Sequence, residues 1–239
     1  MVAASSIIDE ICDRALALAP GMPWLVEPLT PGRGRAFILQ HILRNRLLSS
    51  VIRPAWVSRC PDLEVVRKTI GQMGEELVHD GEIGQPHTAL LRQMGRNVGL
   101  TDAEMDSTTA VPLVEAAFNV WENIARTRHW VAGWLSTSVD EFIIVEVAEH
   151  NFQARAWKRA FGLGDDEVFF FSYHTKADED HAGRQVWEPI ERHLTRPEER
   201  EDVLDALMLA LAALGLFYQG ICELGDELDA GKGRQREWR

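Results

Sequence analysis

The chain has 239 residues, enough for one large domain with a real core. Hydrophobic residues make up 46% and charged residues 26%, a globular composition that excludes a disordered chain. Lysine plus arginine number 25 against 37 aspartates and glutamates, and the resulting net charge of -12 disfavours nucleic acid and anionic membrane as partners.

Taken in chain order, the hydrophobic period of about 3.6 residues predicts helices over 5–18, 33–52, 61–80, 87–98, 110–133, 138–161, 166–194 and 197–227. The start, MVAASSIIDEICDR, has no basic leader region, so no signal peptide is expected. Pro61-Asp62 opens the third helix. Thr101-Asp-Ala-Glu104 and Thr195-Arg-Pro-Glu198 are capping signals. Gly and Pro fall between these segments, at Pro20-Gly21, Pro31-Gly32, Pro54, Gly84 to Pro86, Gly99 and Gly162 to Gly164. Strand alternation is nearly absent. The expectation is one all-α domain over 1–239, a bundle of seven or eight helices, with a mobile tail over 228–239.

Cys12, Cys60 and Cys222 stand far apart with no CxxC, which argues against a disulfide framework and a thiolate zinc site and for a cytoplasmic protein. From Ala206 to Cys222 run 17 uncharged residues, the bottom of the membrane-spanning range. Gln219 and Gly220 dilute the run, which reads as the central helix of a bundle.

Chemistry concentrates in Phe171-Ser-Tyr-His174-Thr-Lys-Ala-Asp178-Glu-Asp-His181. Spacings of +4 and +3 put His174, Asp178 and His181 on one helical face, and imidazoles with a carboxylate suit Fe(II), Mn(II) or Zn(II). A second cluster, Glu75-Glu76-Leu-Val-His79-Asp80-Gly-Glu82, closes the 61–80 helix, and His87 begins the next. Glu76 and Asp80 border the apolar face expected for that helix, Val66, Ile70, Met73 and Leu77. Glu146 is an acid set in an apolar run, a position that needs a partner. One carboxylate from 61–80 with His87, Glu146, His174, Asp178 and His181 makes three histidines and three carboxylates, a donor set for two metals sharing bridging carboxylates.

These motifs resemble the haem-oxygenase-like superfamily of the TenA thiaminases and pyrroloquinoline-quinone synthase, and most of all its non-haem di-iron oxidases and oxygenases. The resemblance covers most of the chain: Leu29-Thr-Pro-Gly-Arg through His41, Arg59-Cys-Pro-Asp-Leu-Glu64, Gly84-Gln-Pro-His87, Gly99-Leu-Thr-Asp-Ala-Glu104, and the His174, Asp178, His181 set. It implies Glu76, His87, Glu146, His174, Asp178 and His181 as ligands. Asp80 or Glu82 stands as an alternative to Glu76, His79 to His87, and Glu149 or Glu141 to Glu146.

The resemblance further implies Fe(II), two per chain, with O2 as co-substrate. The expected activity is oxidation or oxygenation of a small amine, amino-acid or fatty-acid-like molecule in the biosynthesis of a metabolite. No cofactor-phosphate loop is legible, so reducing equivalents would come from an external electron donor. Relatives on this fold are often dimers, which makes a homodimer an expectation by analogy. The competing expectation is a metal-free protein on the same fold that processes a cofactor or binds a ligand. Trp121, Trp130, Trp134 and Trp157 are expected in the core, and Arg155 and Arg159 on a solvated face.

Overall fold

The computed structural model describes residues 6–18, 29–147, 152–174 and 183–231. Among these residues the regular structure is helical, apart from one isolated bridge between Asp80 and Gln85.

In order the helices are α1 (Ile7–Leu18), α2 (Pro31–Leu47), α3 (Arg53–Val57), α4 (Leu63–Leu77), α5 (His87–Asn97), α6 (Asp102–Ser107), α7 (Pro112–Thr127), α8 (Trp130–Val147), α9 (Phe152–Phe161), α10 (Pro189–His193) and α11 (Pro197–Asp229). A helical run over 169–174 lies between α9 and α10.

The starts follow local chemistry. Thr30 caps α2, its hydroxyl accepting from the Arg33 amide at 3.2 Å, and Pro31 sits where no amide is needed. Asp62 caps α4 by accepting from the Glu64 and Val65 amides. Thr101 and Glu104 form the reciprocal capping box of α6. At α11 the cap lies one residue later than the motif suggests, on Arg196, whose amide donates to Glu199.

Four helices expected from the sequence are cut differently. The 33–52 segment passes through a π-turn, Leu48–Ile52, into α3, with Pro54 in the first turn of α3 rather than at a break. The chain breaks between Thr127 and Trp130, not at 134–137, so α8 runs through 130–147. The 166–194 segment is not one helix: a 3-10 turn occupies Asp166–Val168, and α10 is a separate five-residue helix starting at Pro189.

The long apolar helix α11 is the axis of the bundle and packs against α2, α7 and α8. Leu207, Ala210, Leu211, Leu214, Phe217 and Ile221 lie in the core. It is long and apolar enough to cross a membrane, but these side chains are spent on the protein interior. Its crossing with α2 is very close. A Cβ on Gly32 would lie 2.1 Å from the Gly225 carbonyl, and one on Gly225 would lie 2.4 Å from Arg33 Cα. Asp229, at the end of α11, then accepts from the Gly32 amide at 2.7 Å and the Thr30 hydroxyl at 2.5 Å. Trp121, Trp130, Trp134 and Trp157 are all buried.

Helix α4 departs from its expected orientation. Its buried residues are Val65, Thr69 and Glu76, whereas Ile70, assigned to the inward face, is 53% exposed. A period of 3.6 finds an apolar stripe without saying what it faces.

Candidate metal centre

Helix α2 carries Phe37, His41, Arg44 and Asn45 at intervals of three and four, so they share one face, which Leu48 continues at the start of the π-turn. These side chains form one wall of a cavity of about 530 Å3, its open mouth included. Beyond the π-turn, Arg53 joins that wall. Glu76 of α4, Asp140, Glu141 and Ile144 of α8, Phe170, Phe171 and His174 of the 169–174 run, and Tyr218 of α11 complete it.

At one side of the cavity Glu76, His87 and His174 bring one ligand atom each within 4.8 Å of one another. His87, at the start of α5, is 1% exposed. Its Nε2 lies 2.8 Å from Asp80 Oδ2, which also accepts from the Tyr173 hydroxyl at 2.5 Å. That contact assigns the proton to Nε2 and turns the lone pair of Nδ1 toward Glu76 Oε1, 3.4 Å away. Nδ1 is buried without a hydrogen-bond partner. Glu76 Oε2 accepts from the Asn45 amide at 3.0 Å. His174 Nδ1 lies 2.9 Å from the Phe170 carbonyl, which puts the lone pair of that ring on Nε2. Two oriented imidazoles and one carboxylate are the donor set of mononuclear non-haem Fe(II) sites, and an orphaned buried imidazole nitrogen is what a metal would satisfy.

The charges agree with this geometry. Burial pushes the Glu76 carboxyl up, but His87, with Nδ1 3.4 Å away, and the nearby His174 and Arg53 hold it at about 2. Asp80 is likewise held at about 2, burial being outweighed by Tyr173 and His87. His87, between two carboxylates, is raised above the usual imidazole value despite its burial. His41 is driven well below that value by burial and by Arg44, and its Nδ1 has no hydrogen-bond partner. Its ring packs on Phe37 at 4.6 Å and on Phe170 at 6.1 Å between centroids.

Opposite the three ligand atoms, Glu141 meets Arg53 at 3.1 Å and accepts from Gln72 at 3.3 Å. Burial nevertheless pushes Glu141 up to about 7, with Arg53 and Arg44 only partly offsetting it. Beneath it Arg44 is clamped between Trp121 and Phe217, 5.7 and 5.6 Å from their ring centroids. Arg44 pairs with Asp140 at 3.0 Å, and Asp140 also accepts from Tyr218 at 2.9 Å.

The sequence-derived candidates are therefore placed as follows. Glu76, His87 and His174 come together, and Asp80 touches the far nitrogen of His87. His79 and Glu82 are exposed. Glu146 is exposed as well and lies outside the cavity wall. Five residues along α8 it points about 140° away from Glu141, and the apolar run gave no phase with which to tell the two apart. Glu141, held as an alternative, lines the cavity. Asp178, His181 and Glu149 lie outside the described residues. Cys12, Cys60 and Cys222 do not line the cavity, and Arg155 and Arg159 are exposed. His41, Arg44, Asn45, Arg53 and Asp140 were missed as site residues. A signal existed for three of them: Phe37, His41 and Asn45 recur every four residues, with Arg44 alongside, on one face of α2.

A family model described as iron-containing redox enzyme matches residues 41–215. No curated protein matches the chain. Among solved structures, a chain from Shewanella denitrificans, described as a domain of unknown function with a heme oxygenase-like fold, is similar with a TM-score of 0.69. The likeness covers 97% of this chain and 95% of that one at 13% identity, and carries the all-α haem-oxygenase-like fold expected from the motifs.

Proposed function

The chain belongs to the family of iron-containing redox enzymes, and from that premise we propose that it is an iron-dependent, O2-using oxidase or oxygenase acting on a small molecule. The observation that carries the reading is the Glu76, His87 and His174 cluster, in which Glu76 and His174 line the cavity and His87 is buried behind them.

Glu76, His87 through Nδ1 and His174 through Nε2 would hold one iron. Glu141, with Asp178 and His181 by their spacing, would hold a second. Bound there, iron(II) supplies one-electron redox chemistry and a place for O2. Asp80 acts through His87, fixing its ring and making Nδ1 a better donor, and Tyr173 in turn fixes Asp80. Phe37, Phe170 and Phe171 keep that part of the cavity dry. Arg44, held by Asp140, Trp121 and Phe217, and Arg53 give the opposite wall a positive character suited to an amino-acid or fatty-acid carboxylate. Neutral His41 offers an Nδ1 that can hold a proton exchanged with an amine or acid substrate. Electrons beyond those of the substrate would come from an external donor, and free thiols are consistent with a reducing cytoplasm.

Anaerobic loading with Fe(II), followed by metal analysis and O2 uptake, tests the reading. About two irons per chain and iron-dependent uptake are expected, lost in His174→Ala and Glu76→Gln. A chain that takes up no iron would instead be a metal-free, ligand-binding member of the same fold.

A further inference from the structure

Helix α4 turns a polar stripe inward. Val65, Thr69, Gln72 and Glu76 follow at intervals of four, three and four, so they share one side. Val65, Thr69 and Glu76 are buried and Gln72 is half-buried. Glu76 belongs to the ligand cluster. Thr69 and Gln72 instead line a second cavity of about 410 Å3, together with Trp134 and Val186. Its rim carries Glu64 and Lys68, both exposed and 3.5 Å apart, so it opens to solvent.

A side-chain contact stands between the two cavities. Glu141 lines the first and Gln72 the second. The Gln72 carboxamide nitrogen donates to the two Glu141 oxygens at 3.3 and 3.4 Å, while Arg53 holds Glu141 from the cavity side at 3.1 Å. Both Gln72 contacts are longer than the usual N–H···O distance of about 2.9–3.0 Å, so they are cheaply broken.

We propose that the second cavity is the route by which a divalent metal ion reaches the ligand cluster, with Gln72 as its gate. The proposal rests on the iron-dependent reading given above. A dipositive ion must exchange its waters for other oxygen donors as it moves inward. The route supplies them in order: the Glu64 carboxylate at the rim, the Thr69 hydroxyl, the Gln72 carboxamide, then Glu141 and Glu76. From Thr69 to Glu76 is seven residues of helix, about 10 Å along its axis. When the Gln72 side chain turns aside, Glu141 can pass the ion on to Glu76.

Charge and polarity select a cation as the traveller. The net charge of -12 concentrates cations around the chain, and the one lysine at the rim is paired with Glu64. The first cavity is a poorer entrance for an ion, since it presents Phe37, Phe170 and Phe171 with Arg44 and Arg53. Those arginines suit a carboxylate substrate, which Glu64, Glu141 and Glu76 would repel from the second route. Apolar O2 needs no line of oxygens.

Anaerobic mixing of the full, metal-free chain with Fe(II) gives the loading rate, and an excess of a ferrous chelator gives the release rate. Entry and exit share the route, so an obstruction slows both alike and leaves the affinity unchanged. Val186→Trp fills the second cavity from a residue that is no ligand candidate, and should slow loading and release about tenfold each. Thr69→Val keeps the shape, removes the hydroxyl and should slow both in the same direction. Gln72→Ala should speed loading. Circular dichroism and the melting temperature of the metal-free chain check that each variant folds. Rates that Val186→Trp and Thr69→Val leave unchanged in a chain that does bind iron overturn the route alone. So does a change confined to release, which marks a lost ligand contact instead. A chain that binds no Fe(II) overturns both the route and the reading beneath it.

Discussion

Metal binding at the Glu76, His87 and His174 cluster should expel protons, and the number expelled reports which side chains ligate. His87 is raised above the ordinary imidazole value by Glu76 and Asp80, which outweigh its burial. Even an unshifted imidazole is about three-quarters protonated at pH 6. Its Nδ1 proton occupies the position a metal needs, so loading must remove it. Glu141 titrates at about 7 because burial outweighs Arg53 and Arg44. At pH 6 such a carboxyl is about nine-tenths protonated. If both residues ligate, they account for nearly two of the protons released at pH 6, and below that pH these two groups alone make the affinity rise about two decades, or 2.7 kcal/mol, per pH unit. The dependence flattens above both values, where the groups are already deprotonated. Glu76, held at about 2, is ionised throughout and contributes nothing to the slope. Calorimetric titration with Mn(II) or anaerobic Fe(II), in buffers of different ionisation enthalpy, counts the protons directly. Glu141→Gln should lower the count by about one. A count that Glu141→Gln leaves unchanged removes Glu141 from the ligand set. A count near zero with flat affinity between pH 5.5 and 7.5 would refute ligation by His87 and the reasoning built on it.

Asp80→Asn keeps the shape at His87 but removes the charge that orients it, and should weaken metal binding about 10- to 100-fold by the same titration. Tyr173→Phe, one contact further out, should have a smaller effect in the same direction. Asp62→Ala removes the cap of α4 and should cost about 1–2 kcal/mol in urea unfolding at pH 7. The Asp62 carboxyl is held far below its usual value by His193 and Arg192. Its contribution is therefore complete above the unfolded carboxylate value of about 4 and fades as pH falls through the lower folded value. The gap between wild type and Asp62→Ala should accordingly close in acid, and a gap that grows would contradict the assigned partners. Gly225→Ala puts a methyl group into the Arg33 backbone, and should destabilise by about 1–3 kcal/mol although alanine is the better helix former. Equal or greater stability would show that the α2–α11 crossing is looser than described.

Local sequence was sufficient wherever the cause is local. Thr30-Pro31, Asp62 and Thr101 to Glu104 start helices because the amides they cap lie two or three residues away. His87 and Glu76 stood out because a helix end and the next helix start are close in sequence as well as in space. His174 was legible from its spacing within the HxxxDxxH motif. The Fe(II) expectation and the fold rested on those spacings and on the motifs around them.

Orientation was decided only by packing. Helix α8 is apolar on nearly every side, so its period could not separate Glu141, on the cavity wall, from Glu146, in solvent. In α4 the apolar stripe of Val66, Ile70, Met73 and Leu77 ends half-buried at the edge, with Ile70 exposed, because α3, α5 and the π-turn pack against the side bearing Val65, Thr69 and Glu76. Arg44 and Arg53 read as ordinary helix residues until Trp121, Phe217, Asp140 and Glu141 arrive from helices 70 or more positions away to bury and pair them. Caps, spacings and amphipathic periods are written within a turn or two of chain. The direction each helix faces, and therefore which charges meet in the interior, is set by neighbours distant in sequence.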